Sequence, residues 1–166
     1  MKSLARAFRH LFTTTAAGRR AFPTASLKAI QAAIAAGETM HRAEVRLIIE
    51  PALDVFDAMR GMSSRHRARE LFALYRIWDT EENCGVLIYI NLADHKVEII
   101  TDRGVGRVIE AQAWQAVCQT MTQGFARREF HDSTIAGLEQ LNALLKTSFP
   151  ANGAHPNQLS NRPIIL

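Results

Sequence analysis

An almost continuous apolar run, Gly85-Val-Leu-Ile-Tyr-Ile-Asn-Leu92, constrains the fold of this chain more than any other feature. Its length is that of one strand, and apolar residues on both faces are typical of a strand in the middle of a sheet. Ala93-Asp-His-Lys96 follows as a tight turn, and Val97–Thr101 is a second strand. The segment Gly85–Asp102 is therefore predicted to form a buried hairpin.

A crossover unit precedes the hairpin. Glu44–Glu50 alternates like a half-buried strand, and Ser63 or Ser64 can cap a helix that runs to about Ile77. A strand, a helix and a second strand in this order form a crossover unit, in which the two strands lie parallel in the sheet. The helix is expected to turn Ala68, Leu71, Phe72, Tyr75 and Trp78 inward and to leave Arg65, Arg67, Arg69 and Arg76 on a solvated face.

Helical spacing recurs on both sides of this unit. Ser26–Ala36 is predicted as a helix before it, and Trp114–Phe125 and Asp132–Ser148 as two helices after it, with Asp132 or Ser133 capping the last. Asp102–Gly106 is expected to be a loop. Together these elements predict an α/β class fold, a three-layer α/β/α sandwich with a short mixed sheet and a central hairpin.

Charge divides the chain into an arm, a domain and a tail. Lys2, Arg6, Arg9, Arg19 and Arg20 precede Phe22 with no acidic residue, which leaves 15 basic and 16 acidic residues in the rest. The basic pI of 9.5 therefore belongs to an arm over residues 1–21, and a nucleic-acid interface on the domain is not expected. Residues 22–149 form the domain, and the Pro- and Asn-containing residues 150–166 are predicted as an extended or disordered tail.

The arm itself is amphipathic. Ser3–Thr13 places Leu4, Phe8, Leu11 and Phe12 on one helical face, and Thr13–Gly18 is then expected to be a linker. Such a basic helix suits peripheral contact with a membrane, but packing on its own domain or on a partner protein is an open alternative. No apolar run is long enough for a signal sequence or a membrane span, so we expect a cytoplasmic protein that can reach the inner face of the membrane.

Acidic residues are predicted to lie together at one end of the sheet. The parallel strands 44–50 and 85–92 begin at the same end of the sheet, and the hairpin brings the end of strand 97–101 back to that end. The candidates for binding a divalent cation are hard oxygen donors. They are Asp79, Glu81, Glu82, Asn83, Asp102 and Asp132. The alternative is structural: Asp79 then only caps a turn, and Asp102 only pairs with Arg103.

Other chemistries lack their motifs. The two cysteines have no CxxC spacing, and the six histidines show no His-x-x-x-His pair, which disfavours a zinc site. A nucleophile elbow and a phosphate-binding P-loop are both absent from the sequence, so acyl transfer and nucleotide hydrolysis find no support.

The segment Asn83-Cys-Gly-Val-Leu-Ile-Tyr-Ile-Asn-Leu-Ala-Asp-His-Lys-Val-Glu-Ile-Ile-Thr-Asp-Arg-Gly104 resembles the hallmark stretch of the TPM domain family, with Cys84 where that family usually has a second Asn. The helix Trp114–Phe125 and the segment Phe130–Leu138 resemble its closing helices, and Asp132 matches its acidic residue before the last one. The resemblance covers roughly Phe22 to Phe149 and implies the same α/β/α sandwich.

The resemblance also implies function. Members of the TPM family are described as binding divalent cations, calcium in some, and a weak acid phosphatase activity has been proposed. We therefore expect a cation-binding accessory domain that takes Ca²⁺ or Mg²⁺. The alternatives are a metal-dependent phosphatase, with Arg103 holding the phosphate, and a membrane-surface adaptor acting through residues 3–13. The missing signal sequence and membrane anchor set this chain apart from envelope members of the family.

Overall fold

The computed structural model describes residues 2–153 and 156–166, so Met1 of the predicted arm and residues 154 and 155 of the predicted tail lie outside the described residues. The elements in chain order are α1 (Lys2–Phe12), α2 (Thr15–Ala21), α3 (Thr24–Glu38), β1 (Glu44–Glu50), α4 (Val55–Met59), α5 (Ser64–Leu74), β2 (Gly85–Asn91), β3 (Lys96–Thr101), α6 (Arg103–Gly106), α7 (Ala111–Ala126), α8 (Phe130–Ser148) and β4 (Ile164–Ile165).

The sheet has the order β3-β2-β1-β4 and confirms the predicted crossover and hairpin. β1 pairs parallel with β2, and β2 pairs antiparallel with β3. Every residue of β2 is buried, as expected for a central strand. α5 covers one face of the sheet, and α3, α7 and α8 cover the other. This is the predicted mixed α/β sandwich.

The register defines two ends of the sheet that matter for function. At one end, here called the Glu44 end, Glu44 pairs with Gly85, and Val86 pairs with Thr101. At the other, the Glu50 end, Glu50 pairs with Asn91 and the hairpin turn carries Asp94. Loops from distant parts of the chain therefore meet at each end.

Two predicted connections are helical instead. Thr13–Gly18 is not a linker, because Thr14 accepts a hydrogen bond from the Ala17 N–H and starts α2. Asp102 likewise caps α6, a single turn within the predicted loop. Helix α4, capped by Asp54, was not predicted. Short capped turns carry too few apolar residues to show helical periodicity.

Several helix boundaries also differ from the sequence analysis. α5 begins after its Ser63 cap as expected but ends at Leu74, because Arg76 adopts a left-handed φ of 51°. Trp78 consequently lies half exposed instead of facing inward. α8 starts earlier than predicted, with Glu129 at its N-cap position, so neither Asp132 nor Ser133 caps it.

The tail is more ordered than its composition suggests. Its residues Ile164–Ile165 form β4 and pair parallel with Ile48 and Ile49 of β1. Upstream, the Glu44 carboxylate accepts hydrogen bonds from the backbone N–H groups of Gln158 and Leu159, at 3.1 and 2.9 Å. The tail thus completes one edge of the sheet.

Candidate functional sites

The predicted cation ligands centre on a corner at the Glu44 end, formed by Asn83 and Asp102. Asn83 has a left-handed φ of 51°, and its carbonyl accepts a hydrogen bond of 2.9 Å from the Gly104 N–H. Asp102 Oδ1 accepts a bond of 2.7 Å from the Arg103 N–H. A Cβ on Gly104 would lie 2.6 Å from the carbonyl oxygen of Asn83, so glycine permits this close approach. We call these residues the Asn83–Asp102 corner.

One oxygen of the corner has no partner. Asp102 is 8% exposed, and its Oδ2 is buried without a hydrogen bond in the described part of the chain. A buried carboxylate oxygen without a donor is costly, because the lost hydration is not replaced. Hard oxygen donors nearby, including the backbone carbonyl of Asn83, fit Ca²⁺ or Mg²⁺. The corner therefore offers one carboxylate and neutral oxygens to a cation.

Arginine side chains engage two of the other predicted ligands. Asp79 pairs with Arg76 at 2.7 Å, and Glu82 pairs with Arg42. Arg103, the expected phosphate ligand, is exposed next to Asp102. Among residues 2–153 and 156–166, no three His, Cys, Asp or Glu side chains are grouped as a metal site.

Asp132 lies far from the others because of the direction of α8. The helix ends beside the Glu44 end, where the Phe149 carbonyl accepts a hydrogen bond from the Arg42 N–H. A rise of ~1.5 Å per residue puts Asp132, near the start of α8, roughly 25 Å away along the axis. Its exposed side chain sits in the first turn of the helix, where a carboxylate is favourable.

The sequence analysis missed Glu38, which lies beside Glu44 at the Glu44 end. Glu38 accepts a hydrogen bond of 2.9 Å from the Val45 N–H and one of 2.7 Å from Asn161. Burial, reinforced by the neighbouring charge of Glu44, raises the pKa of Glu38 to about 7. The sequence carried no signal for Glu38, because its partners lie in β1 and in the tail.

Burial disfavours the reactive thiolate form of both cysteines. Burial raises the pKa of the Cys84 thiol and raises that of Cys118 to about 11. Both groups are therefore neutral thiols near pH 7, and the thiolate is the reactive form.

A buried polar network occupies the Glu50 end. Arg67 donates to both carboxylate oxygens of Glu50 at 2.8 to 3.1 Å, and the Tyr89 hydroxyl donates to the same carboxylate. Asn91 in turn donates to the Tyr89 oxygen and accepts from the Asp94 N–H. Arg67 is thus half-buried and bound to this network, whereas the sequence analysis expected it on a solvated face.

Asp94 at the end of this network anchors α1. Arg6 binds its carboxylate at 2.6 Å and also donates to the backbone carbonyls of Ala58 and Met62. His10 accepts the Leu53 N–H at Nδ1 and turns Nε2 toward Asp94 at 3.2 Å. Burial alone would raise the pKa of Asp94, but Arg6 and His10 hold it below its usual range.

The anchoring leaves the apolar side of α1 facing outward. Leu4, Phe8, Leu11 and Phe12 are 55, 58, 55 and 74% exposed. The rings of Phe8 and Phe12 stack at 6.5 Å. Phe56 and Met59 of the adjacent α4 are exposed as well. We call Leu4, Phe8, Leu11 and Phe12 the outer face of α1; apolar exposure of this kind marks interaction surfaces.

Within the described residues, none of the helices is long and apolar enough to cross a membrane.

Comparisons with known proteins agree with this architecture. The family model of the TPM domain matches residues 19–144. The structure is similar to the NMR structure of the BA42 protein from the psychrophilic bacterium Bizionia argentinensis, with a TM-score of 0.76 and 23% sequence identity over 87% of this chain and 94% of that one. That likeness shows the shared fold. No curated protein matches the chain. Because the family model spans most of its length, this chain belongs to the TPM domain family.

Proposed function

We propose that this TPM domain acts as a binding domain that attaches to an anionic membrane surface through the outer face of α1. The observation that supports this is the orientation of the helix: its polar residues Arg6 and His10 are anchored to Asp94, and its large apolar residues face away from the domain. A helix that only completed the core would bury its apolar side. This orientation favours an external partner for that side.

The charge around the helix favours anionic lipid as that partner. Arg19 and Arg20 are exposed, Arg9 is exposed beside its 3.4 Å ion pair with Asp94, and the first acidic residue of the chain is Glu38. Basic amphipathic helices lie at the lipid headgroup boundary with their apolar side inserted, and basic residues near the surface add attraction to anionic headgroups. The short apolar face predicts reversible attachment that weakens at high salt.

Flotation with lipid vesicles tests the proposal. The double variant Phe8→Ser/Phe12→Ser should bind vesicles of three parts phosphatidylcholine to one part phosphatidylglycerol at least about tenfold more weakly, because two aromatic side chains lose their apolar contacts with lipid. Leu74→Ser is the matched control, since Leu74 is 71% exposed on α5. Equal flotation of the double variant and the unmodified chain would refute the role of α1.

A second candidate function, binding of a divalent cation, is favoured by the unpartnered Asp102 Oδ2. A cation at the Asn83–Asp102 corner would compensate this buried charge with the ligand type that Ca²⁺ prefers. We restrict this proposal to binding. Metal-assisted phosphate hydrolysis also needs a firmly held metal ion with open positions for water and phosphate, and the nearby carboxylates of Asp79 and Glu82, which could help to hold it, are engaged by arginines.

Amide NMR shifts during a calcium titration test this candidate. With one carboxylate available, we expect a dissociation constant on the order of 1 mM and shifts centred on Asn83 and Gly104. Asp102→Asn should abolish them while the amide side chain still caps α6. Asp79→Asn serves as control and should leave the titration unchanged. If the amide shifts of Asn83 and Gly104 do not change at about 10 mM calcium, the site is excluded.

A further inference from the structure

The open side of β3 lies at the floor of a groove. β3 is an edge strand, because the sheet order places β2 on one side of it and no strand on the other. α5 packs on β3 from one face of the sheet and α7 from the other. Between these two helices is a cavity of about 750 Å³ that is lined by the whole of β3.

The hydrogen-bond register shows which backbone groups point into this groove. The Asp102 N–H donates to the Gly85 carbonyl at 2.9 Å, so alternate residues of the hairpin bond across to β2. The intervening residues, Val97, Ile99 and Thr101, direct their N–H and C=O groups to the open side. These groups form a row of donors and acceptors about 13 Å long, spaced as a partner strand would need.

Most of these outward backbone groups are free to bind a partner strand. The Ile99 carbonyl accepts a weak bond of 3.3 Å from Arg65, whose side chain is half exposed, and the Ile99 backbone also contacts the Cys118 thiol. Within the described residues, no hydrogen bond to the outward groups of Val97 or Thr101 is formed. Natural proteins usually cover such an edge, and a charged side chain is one of their ways to do so.

The walls of the groove are basic. Arg65, Arg69 and Lys96 line it against a single acidic residue, Glu98. Glu98 is already paired with Arg65 at 3.2 Å, and the ion pairs among the described residues include neither Arg69 nor Lys96. Two positive charges therefore remain uncompensated beside an open strand edge. Electrostatic complementarity of this kind selects an acidic occupant.

We propose that β3 binds an extended acidic peptide segment of a partner protein by strand addition. The backbone of the peptide pairs with Val97, Ile99 and Thr101, which displaces Arg65 from the Ile99 carbonyl, and its acidic side chains meet Arg69 and Lys96. A second copy of this chain fits less well, because a two-fold pairing of β3 strands would bring two basic grooves together.

The opposite edge of the same sheet shows that it accepts a short segment. There the two residues of β4 pair with β1, and the Leu166 N–H donates to the Ile49 carbonyl at 3.0 Å. Strand addition at β3 would thus repeat, with a separate peptide, what the tail does at the other edge. This surface is distinct from the outer face of α1, so the two proposals are independent.

The test uses the full chain and the synthetic peptide Val-Glu-Val-Glu-Val-Glu-Val with blocked ends. On binding, the amide protons of Val97 and Thr101 should become protected from hydrogen exchange, because they gain partners only in the complex. The variant Arg69→Glu/Lys96→Glu should bind at least about tenfold more weakly. Lys28→Glu, which changes the charge of an exposed residue outside the groove, should bind normally. A peptide with proline at alternate positions should fail to bind.

Three results would overturn the proposal. One is binding of the acidic peptide without new protection at Val97 and Thr101. Another is equal binding of a peptide in which lysine replaces every glutamate. The third is a dimer in light scattering of the free chain in which these same amides are protected, because the edge would then belong to a second copy.

Discussion

Glu50→Leu is expected to lower the free energy of unfolding by about 2–3 kcal/mol, because it removes the buried partner of a half-buried arginine and the acceptor of a buried hydroxyl. Glu50 is 6% exposed and holds two hydrogen-bonded groups, the guanidinium of Arg67 and the hydroxyl of the fully buried Tyr89. Its loss leaves the Tyr89 hydroxyl proton without an acceptor inside the protein, and among the described residues it leaves the half-buried Arg67 with only the exposed Glu70 as an ionic partner. Urea unfolding followed by circular dichroism measures the change.

Two further variants separate the burial effect from a general loss of charge. Glu70→Leu removes the exposed partner of Arg67 at 3.2 Å and should cost less than about 1 kcal/mol. The double variant Glu50→Leu/Arg67→Met should recover part of the loss, since it leaves no unpaired charge. A loss below about 1 kcal/mol for Glu50→Leu would mean that water reaches this network.

Gly85→Ala is expected to destabilise the domain by about 3 kcal/mol or more, a second large effect with a steric cause. A Cβ on Gly85 would overlap the backbone carbonyl oxygen of Ile77, which cannot move without shifting the chain that enters β2. Gly85 begins the central strand and pairs with Glu44, so this shift would disturb the register at the start of the sheet. Thermal and urea unfolding measure the loss.

Gly106→Ala is the matched control for this steric argument. Its Cβ would meet only the hydroxyl of Thr101, at 2.8 Å, and that side chain can rotate. We expect a change below about 1 kcal/mol. Equal losses for the two variants would show that the Ile77 carbonyl does not limit the space at Gly85.

The parts of the fold that were predictable are those whose pattern is local. The continuous apolar run of β2, the alternation of β1 and the Ser63 cap each fix an element within a few residues. α2 and α6 escaped prediction because a single side chain starts each, Thr14 and Asp102, and no apolar stripe follows. Local pattern also says nothing about where a helix docks.

The candidate sites show the same limit. Topology correctly brought Asn83 and Asp102 together, since a hairpin must return to its starting end. It failed for Asp132, whose position depends on the direction in which α8 packs. The outward orientation of α1 could not be predicted either, because it depends on the contact of Arg6 with Asp94, which is 88 residues away in the sequence. The open groups of β3 could be found only once the order of the strands was known.

The pairing of β1 with β4, the last strand of the sequence, has a consequence for how the domain folds. β4 and β1 are far apart in the sequence: Arg46 of β1 binds the carbonyl of Arg162, 116 residues away. Pairings of such separation form slowly, because the entropy of closing the loop is lost before the contact is gained. Until then β1 is a second exposed edge of an apolar sheet, a template for pairing with other chains. The few residues of the tail thus cover an edge that would otherwise be open to other chains.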